Sequence, residues 1–415
     1  MKKAFISSLI MTLMLTNISL INISSVQAAT TDNTGVTSTD NTIKVSLDNI
    51  QDIMSENNLD MKVYYNNQQL AKEKYDNAKD EVDTAQSAVD AATTAVGTAT
   101  SNVSTAKAGT DVSALPTAET NLDKANSTLT AANSTLTTAN TNLATIKYAL
   151  RTANVEYEQN IEKSVYKAQQ DYISYLSNVS DEQLEEDTVK SQENSEQVSK
   201  IKYDSGFISQ DEYTASLESN TDAVNLLNKL KDAEELAKTN LCTTLGISDG
   251  EKVIFNTDIT EDFAKISKIN YNDDLAKMLD NNVNIQLQNI SIDKLNDAKD
   301  AETTTTDYTD TVDQYNTDNA QISLKQTIST AEANFKAQYD TLMNSYNSIK
   351  SSYDKITQEQ KVYQTTQIKY DYGFVSKIDV DNAKLALDKD SATFNASKNT
   401  LYVNYLRYIQ MKEGY

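Results

Sequence analysis

What most constrains this chain is how seldom it can turn. Its 415 residues include eight glycines and one proline, the residues that tight reversals draw on most heavily. The elements must therefore be long and the reversals few. Apolar residues make up 39% of the chain, much of that alanine, enough to line narrow seams but hardly to fill a thick core. Long helices meeting along thin interfaces fit that balance, and the expected class is all-α with at most a small β element.

The missing residue types narrow the chemistry. Histidine is absent, which removes Ser-His-Asp and Cys-His catalysis and His-bearing zinc sites. The single cysteine, Cys242, has no partner in the chain for a disulfide. Flanked by Leu241 and Leu245, it reads as a small buried hydrophobe rather than a reactive thiol. A formal charge of -23 argues against a nucleic-acid partner, which needs a basic face, and suits a solvated surface or an aqueous path that prefers cations. The carboxylates are scattered over helix faces and no Gly-rich phosphate loop is present, so neither an enzyme nor a cofactor or metal site is indicated.

The N-terminus carries Lys2 and Lys3, an apolar stretch from Ala4 to Leu20, and the small-x-small pattern Val26-Gln27-Ala28. Residues 1–28 thus read as a secretory signal peptide, and the polar residues 29–42 as a disordered leader. No cysteine follows the apolar stretch to take a lipid anchor, and no later run of 18 apolar residues is present to span a bilayer as a helix.

The rest of the chain is duplicated. Ile201-Lys202-Tyr203-Asp204-Ser205-Gly206-Phe207-Ile208-Ser209 recurs 167 residues later as Ile368-Lys369-Tyr370-Asp371-Tyr372-Gly373-Phe374-Val375-Ser376. The same shift carries Ile161 onto Ile328 and Tyr172 onto Tyr339. Earlier, Asn57-Asn58-Leu59 resembles Asn281-Asn282-Val283, and Ala78-Lys79-Asp80 matches Ala298-Lys299-Asp300 at a shift of 220. The first half therefore holds about 53 extra residues (220 minus 167). There Val82, Val89, Val96 and Val103 alternate with Ala85, Ala92, Ala99 and Ala106. After a break, Leu115, Leu122, Leu129, Leu136 and Leu143 alternate with Ala118, Ala125, Ala132, Ala139 and Ile146. Two consecutive seven-residue repeats predict an antiparallel helical hairpin over 82–146, with Ser113 as N-cap and Pro116 in the first turn of the second helix. Further helices are predicted over 147–203, 211–245, 271–299, 321–370 and 378–412. The boundaries are a first repeat at 43–245, a connecting segment at 246–270 in which Val253-Ile254-Phe255 is β-prone, and a second repeat at 271–415.

At each copy of Tyr-Asp-x-Gly-Phe-(Ile/Val)-Ser one long helix must reverse into another. Gly206 and Gly373 supply positive φ; Ser209 with Glu212 and Ser376 with Asp379 form capping-box patterns. Phe207 next to Ile208, and Phe374 next to Val375, would put two consecutive large apolar residues into water at each turn, more than a turn alone requires. With the Asn-Asn starts of both halves and the Leu241-to-Gly246 ending, this pattern resembles the outer-membrane efflux protein (TolC) family over nearly the whole chain beyond the signal peptide. The resemblance implies a homotrimeric α-barrel whose hairpin tips (Gly206, Phe207, Ile208, Ser209, Gly373, Phe374, Val375, Ser376) dock a periplasmic-type adaptor protein that works with an inner-membrane transporter. It further implies an entrance constriction at Asp379, Asp381 and Asn382, with Glu212 at the equivalent place in the first half. Asp381 falls at a position usually apolar in the family, and simple solvation is its competing reading.

One departure is large. Residues 301–320, where the family places membrane strands, hold only Tyr308, Val312 and Tyr315 as sizeable apolar groups, too few for a lipid-facing band. Two functions follow from this reading. An export conduit in the cell envelope, at an outer membrane or the surface of a single-membrane bacterium, accounts for the doubled apolar tip. A structural coiled-coil protein of the cell surface accounts for the missing strands.

Overall fold

The structure, a computed structural model, describes residues 42–109, 112–248, 250–257, 263–301 and 306–415. The signal peptide and residues 29–41 of the leader lie outside them. A three-residue strand, β1 (Ile43–Val45), leads through a 3-10 turn into α1 (Ile50–Asn57), α2 (Leu59–Ala108), α3 (Leu115–Asp204) and α4 (Gln210–Leu245). Then β2 (Val253–Phe255) and a 3-10 segment precede α5 (Tyr271–Asn281), α6 (Val283–Asp300), α7 (Asp307–Asp371) and α8 (Lys377–Lys412). Among the described residues no helix is long and apolar enough to cross a membrane.

The second helix of the heptad hairpin does not stop at Ile146. It continues as one 90-residue helix to the first tip, about 135 Å at 1.5 Å per residue. Along α2 the seam is Ala85, Ala92, Ala99 and Val103, all buried, while the Thr, Ser and Asn between them face water. Ser113 is not the N-cap: it falls in the 3-10 turn Val112–Ala114, Ala114 takes that position without a side-chain bond, and Pro116 sits in the first turn.

Two further departures have local causes. The helix predicted over 271–299 is broken at Asn282, which adopts ψ 119° and accepts from the N–H groups of Asn284 and Ile285, ending α5 and capping α6. Asn58 does the same between α1 and α2, accepting from Met61 N–H. Helix α7 starts at Asp307 rather than at 321, because Thr306 and Thr309 form a capping box around its first turn. The segment 307–320 is thus helical.

The long helices form one layer. At one end α3 is flanked by α2 and α6, and α6 by α7; at the other, α4 packs on α3, α3 on α8 and α8 on α7. Where the two ends meet, at the waist, each half has its own small core. In the first, α1 lies against α3 and α4 over Ile50, Met54, Tyr172, Leu241 and Leu245; in the second, α5 lies against α7 and α8 over Met278, Phe335, Leu342, Leu401 and Tyr408. Strands β1 and β2 pair in parallel, Ile43 opposite Val253. The Tyr172 hydroxyl donates to the carbonyls of Val45 and Asn256, at 3.0 and 2.5 Å, and ties the pair to α3.

Candidate functional site

The two hairpin tips are built alike, atom for atom along the backbone. At the first, Gly206 has φ 78°, its N–H donates to Tyr203 O at 2.9 Å, and Phe207 N–H donates to Lys202 O at 2.8 Å. At the second, Gly373 has φ 76°, with Gly373 N–H on Tyr370 O and Phe374 N–H on Lys369 O, both at 2.8 Å. These bonds use up carbonyls that the helix end would leave unpaired. Ser209 then caps α4 and Ser376 caps α8, each in a complete capping box.

Phe207 is 81% exposed and Phe374 79%. Their neighbours differ from the expectation of two exposed apolar residues in a row: Ile208 and Val375 are half-buried. Tyr372 adds a third exposed ring at the second tip, where the first has Ser205. At the first tip Tyr203 instead stacks on Tyr213 across the hairpin, ring centroids 5.2 Å apart.

The four polar residues read as an entrance constriction are placed differently from one another. Glu212 and Asp379 are cap partners: Glu212 Oε2 accepts from Ser209 N–H at 2.8 Å, and Asp379 Oδ2 accepts from Ser376 N–H at 2.8 Å and its hydroxyl at 2.7 Å. The serine bonds hold both carboxyls below their ordinary pKa: for Asp379 the hydroxyl and then the backbone N–H, for Glu212 the reverse order. Both side chains are exposed and charged at neutral pH. Asp381 is not simply solvated. It is half-buried, takes Lys377 Nζ at 2.6 Å, and receives Asn194 Nδ2 from α3 at 3.5 Å. Asn382 is exposed. The structure gathers Asp379, Asp381 and Asn382 on the first turns of α8 and puts Glu212 on α4.

Lys384 was not singled out from sequence. Its Nζ lies 2.5 Å from Asp388 on its own helix and 3.9 Å from Asp187 on α3, and the hydrogen bond to Asp388 raises its pKa. The signal was available: Lys377/Asp381 and Lys384/Asp388 repeat one i, i+4 pair after seven residues. Together with Asn194 they make a polar ladder between α3 and α8 just behind the tips.

No protein-family model matches the chain, and no curated protein matches it. Solved structures do. The Campylobacter jejuni CmeC outer membrane channel superposes with a TM-score of 0.51 at 14% identity, covering 66% of this chain and 67% of that one. The chain shares its fold with an outer membrane channel. VceC of Vibrio cholerae, an outer membrane protein, gives 0.48 at 10% identity over 66% of this chain and 76% of its own. The open-state MtrE outer membrane channel of Neisseria gonorrhoeae gives 0.48 at 10% identity over 89% of both. The mainly helical architecture with one two-stranded element agrees with the expected all-α class carrying at most a small β element.

Proposed function

We propose that this chain is one protomer of an export conduit in the cell envelope, a homotrimer whose helical layers close into a hollow barrel. It meets an adaptor protein at Phe207 and Phe374, serves an inner-membrane transporter, and does no chemistry of its own. The observation that carries the reading is the pair of open edges on the helical layer. Leu236 on α4 is 61% exposed and Tyr353 on α7 is 61% exposed, with Leu59 and Leu70 on α2 also uncovered. A layer with unlike apolar edges associates head to tail, and such contacts form a ring when the rotation closes. The fold shared with CmeC supports the same reading. The signal-peptide pattern supports export.

One observation favours the structural coiled-coil reading: the α2–α3 arm. Asp297 near the end of α6 meets Lys147 and Tyr148 on α3. Helix α6 ends one turn later at Asp300, while α3 extends 33 residues (148 minus 115) in the arm direction to Leu115, roughly 50 Å. Electron-microscopy class averages of the chain lacking residues 1–28 separate the two. Hollow three-fold end views support the conduit, and solid rods support the surface protein. Crosslinking of a co-expressed adaptor at the tips should disappear in the Phe207→Asp, Phe374→Asp double variant. Unchanged crosslinking would reduce the tips to well-capped turns.

A further inference from the structure

Over its first turns α7 carries an apolar stripe that the described residues leave uncovered. Tyr308, Val312, Tyr315 and Ile322 are all exposed, Tyr308 at 78% and Tyr315 at 65%. Their spacings of four, three and seven residues keep them on one helix face. At 100° per residue that face lies roughly opposite Asp313, Thr317, Ala320 and Leu324, the half-buried side of the same stretch. Helix α6 is the neighbour there, so the stripe marks the free edge of the layer. On the other edge Leu59, Val63 and Leu70 of α2 are exposed, turned away from Met61, Ala71, Tyr75 and Ala78 on the side that meets α3.

The two stripes stand at one height. Gln68 bonds Asn154 at 3.0 Å and Glu81 meets Asn142 at 3.4 Å, which sets Lys74 of α2 beside Tyr148 of α3. Tyr148 in turn donates to Asp297, three residues before α6 ends at Asp300 and so level with Asp310, three residues after α7 begins. Carried across, Leu70 falls level with Tyr315 and Val63 with Ile322, each pair one heptad from the other. Asp307 and Asp318 flank the α7 stripe, and Lys62 and Lys74 flank the α2 stripe. None of the four is in an ion pair with a described residue. In height Lys74 lies within about one turn of Asp307, and Lys62 within about one turn of Asp318.

We propose that the α7 stripe packs on the α2 stripe of a second copy, with Tyr315 against Leu70 and Ile322 against Val63. The proposal rests on the conduit reading and names the seam by which its ring closes. Rotation about an axis along the helices keeps every copy upright, so heights within one chain hold between neighbours and α2 runs antiparallel to the next α7. Pairing α7 with a second α7 would gather like charges, whereas α2 brings two lysines. The segment 307–322, too polar for a lipid-facing band, then serves assembly.

The test is disulfide formation between copies of the full chain, read as a ladder on a non-reducing gel. The Leu70→Cys, Tyr315→Cys double variant should link into dimers and trimers. The parent, with Cys242 alone, and each single variant should not. The Leu70→Cys, Tyr308→Cys variant, displaced by about 10 Å along the seam, should link far less. Tyr315→Asp should raise the concentration at which the trimer half dissociates by about tenfold or more, with circular dichroism unchanged. Linking by Tyr315→Cys alone would mean that α7 pairs with itself and would overturn the proposal. A parent of trimer mass whose matched pair fails to link, or links no better than the displaced pair, would overturn the seam and leave the conduit standing. A parent that is monomeric at every concentration would overturn both.

Discussion

In the first half of the molecule α2 runs 50 residues beside a 90-residue α3; in the second, α6 runs 18 beside a 65-residue α7. Nearer the tips the halves match. Each has a break at an asparagine, a short helix laid across a long pair, and a last helix that ends on a glycine under that break. Gly246, at φ 76°, would place a Cβ 2.6 Å from the backbone of Asn57; Gly414, at φ 103°, would place one 2.3 Å from Asn281 O. Gly206 and Gly373 have the same positive φ but open space around them. The waist is duplicated because backbone approaches backbone there and leaves no room for variation. The arms differ because each hairpin buries its seam against itself.

The largest effects should therefore come from the waist glycines. Gly246→Ala and Gly414→Ala combine left-handed strain with backbone overlap and should each cost about 3 kcal/mol, read as a lowered urea midpoint. Gly206→Ala and Gly373→Ala carry the strain alone and should cost about 1 kcal/mol. A Gly414→Ala variant no worse than Gly373→Ala would show that the second waist is not built like the first.

Next come the buried hydroxyls of the two waists. Tyr172 donates to two backbone carbonyls, and Tyr408 donates to Asp274 Oδ2 at 2.7 Å, where Lys412 also pairs. Replacing either with Phe should cost about 1–2 kcal/mol. Burial pushes the Tyr172 phenol up to about 12, and burial together with Asp274 pushes Tyr408 higher still. A raised pKa means that the folded state holds the proton longer. This contribution is complete below the ordinary phenol value of about 10 and is lost as pH rises toward the folded values. The alkaline loss of stability should shrink in the Tyr172→Phe, Tyr408→Phe double variant. An unchanged alkaline limb would contradict it.

The caps should matter less, and equally at both tips. Ser209→Ala and Ser376→Ala should each cost about 1 kcal/mol, seen as faster amide exchange in the first turns of α4 and α8 and not at the waist. Because Glu212 and Asp379 have lowered pKa values in the fold, their share is present above the ordinary carboxylate range and is lost as pH falls through the folded values. Tip protection that does not respond to acid would separate these carboxyls from the caps.

The smallest effect is expected from the largest deletion. Glu81 faces Asn142 across the arm, within 3.4 Å, so residues 82–146 can be replaced by a short Gly-Ser turn. The unfolding temperature of the remainder should move by only about 3 °C, with helicity falling in proportion to the residues removed. Loss of cooperative unfolding would make the arm part of the common core.

These differences also explain what could be read from sequence. The hairpin seam was legible because each Ala or Val meets a partner on the adjacent helix, so the pattern is local and regular over many turns. The tips were legible for the same reason: Gly, Ser and the acid three residues on form one closed set of bonds. Pairing of Ile43–Val45 with Val253–Phe255 was not, because the strands lie some 200 residues apart and only β2 looks β-prone. The break at Asn282 was hidden inside continuous helical periodicity. The partners of Asp381 come from Lys377 and from α3, and only the first is a sequence neighbour.

The central claim is that one chain leaves its helical layer open at both edges and that copies of itself close it. Multi-angle light scattering of the chain lacking residues 1–28, at micromolar concentration, tests this directly. The account predicts a single species of three times the chain mass, unchanged when residues 82–146 are replaced by the short turn. A well-folded monomer at every concentration would contradict it.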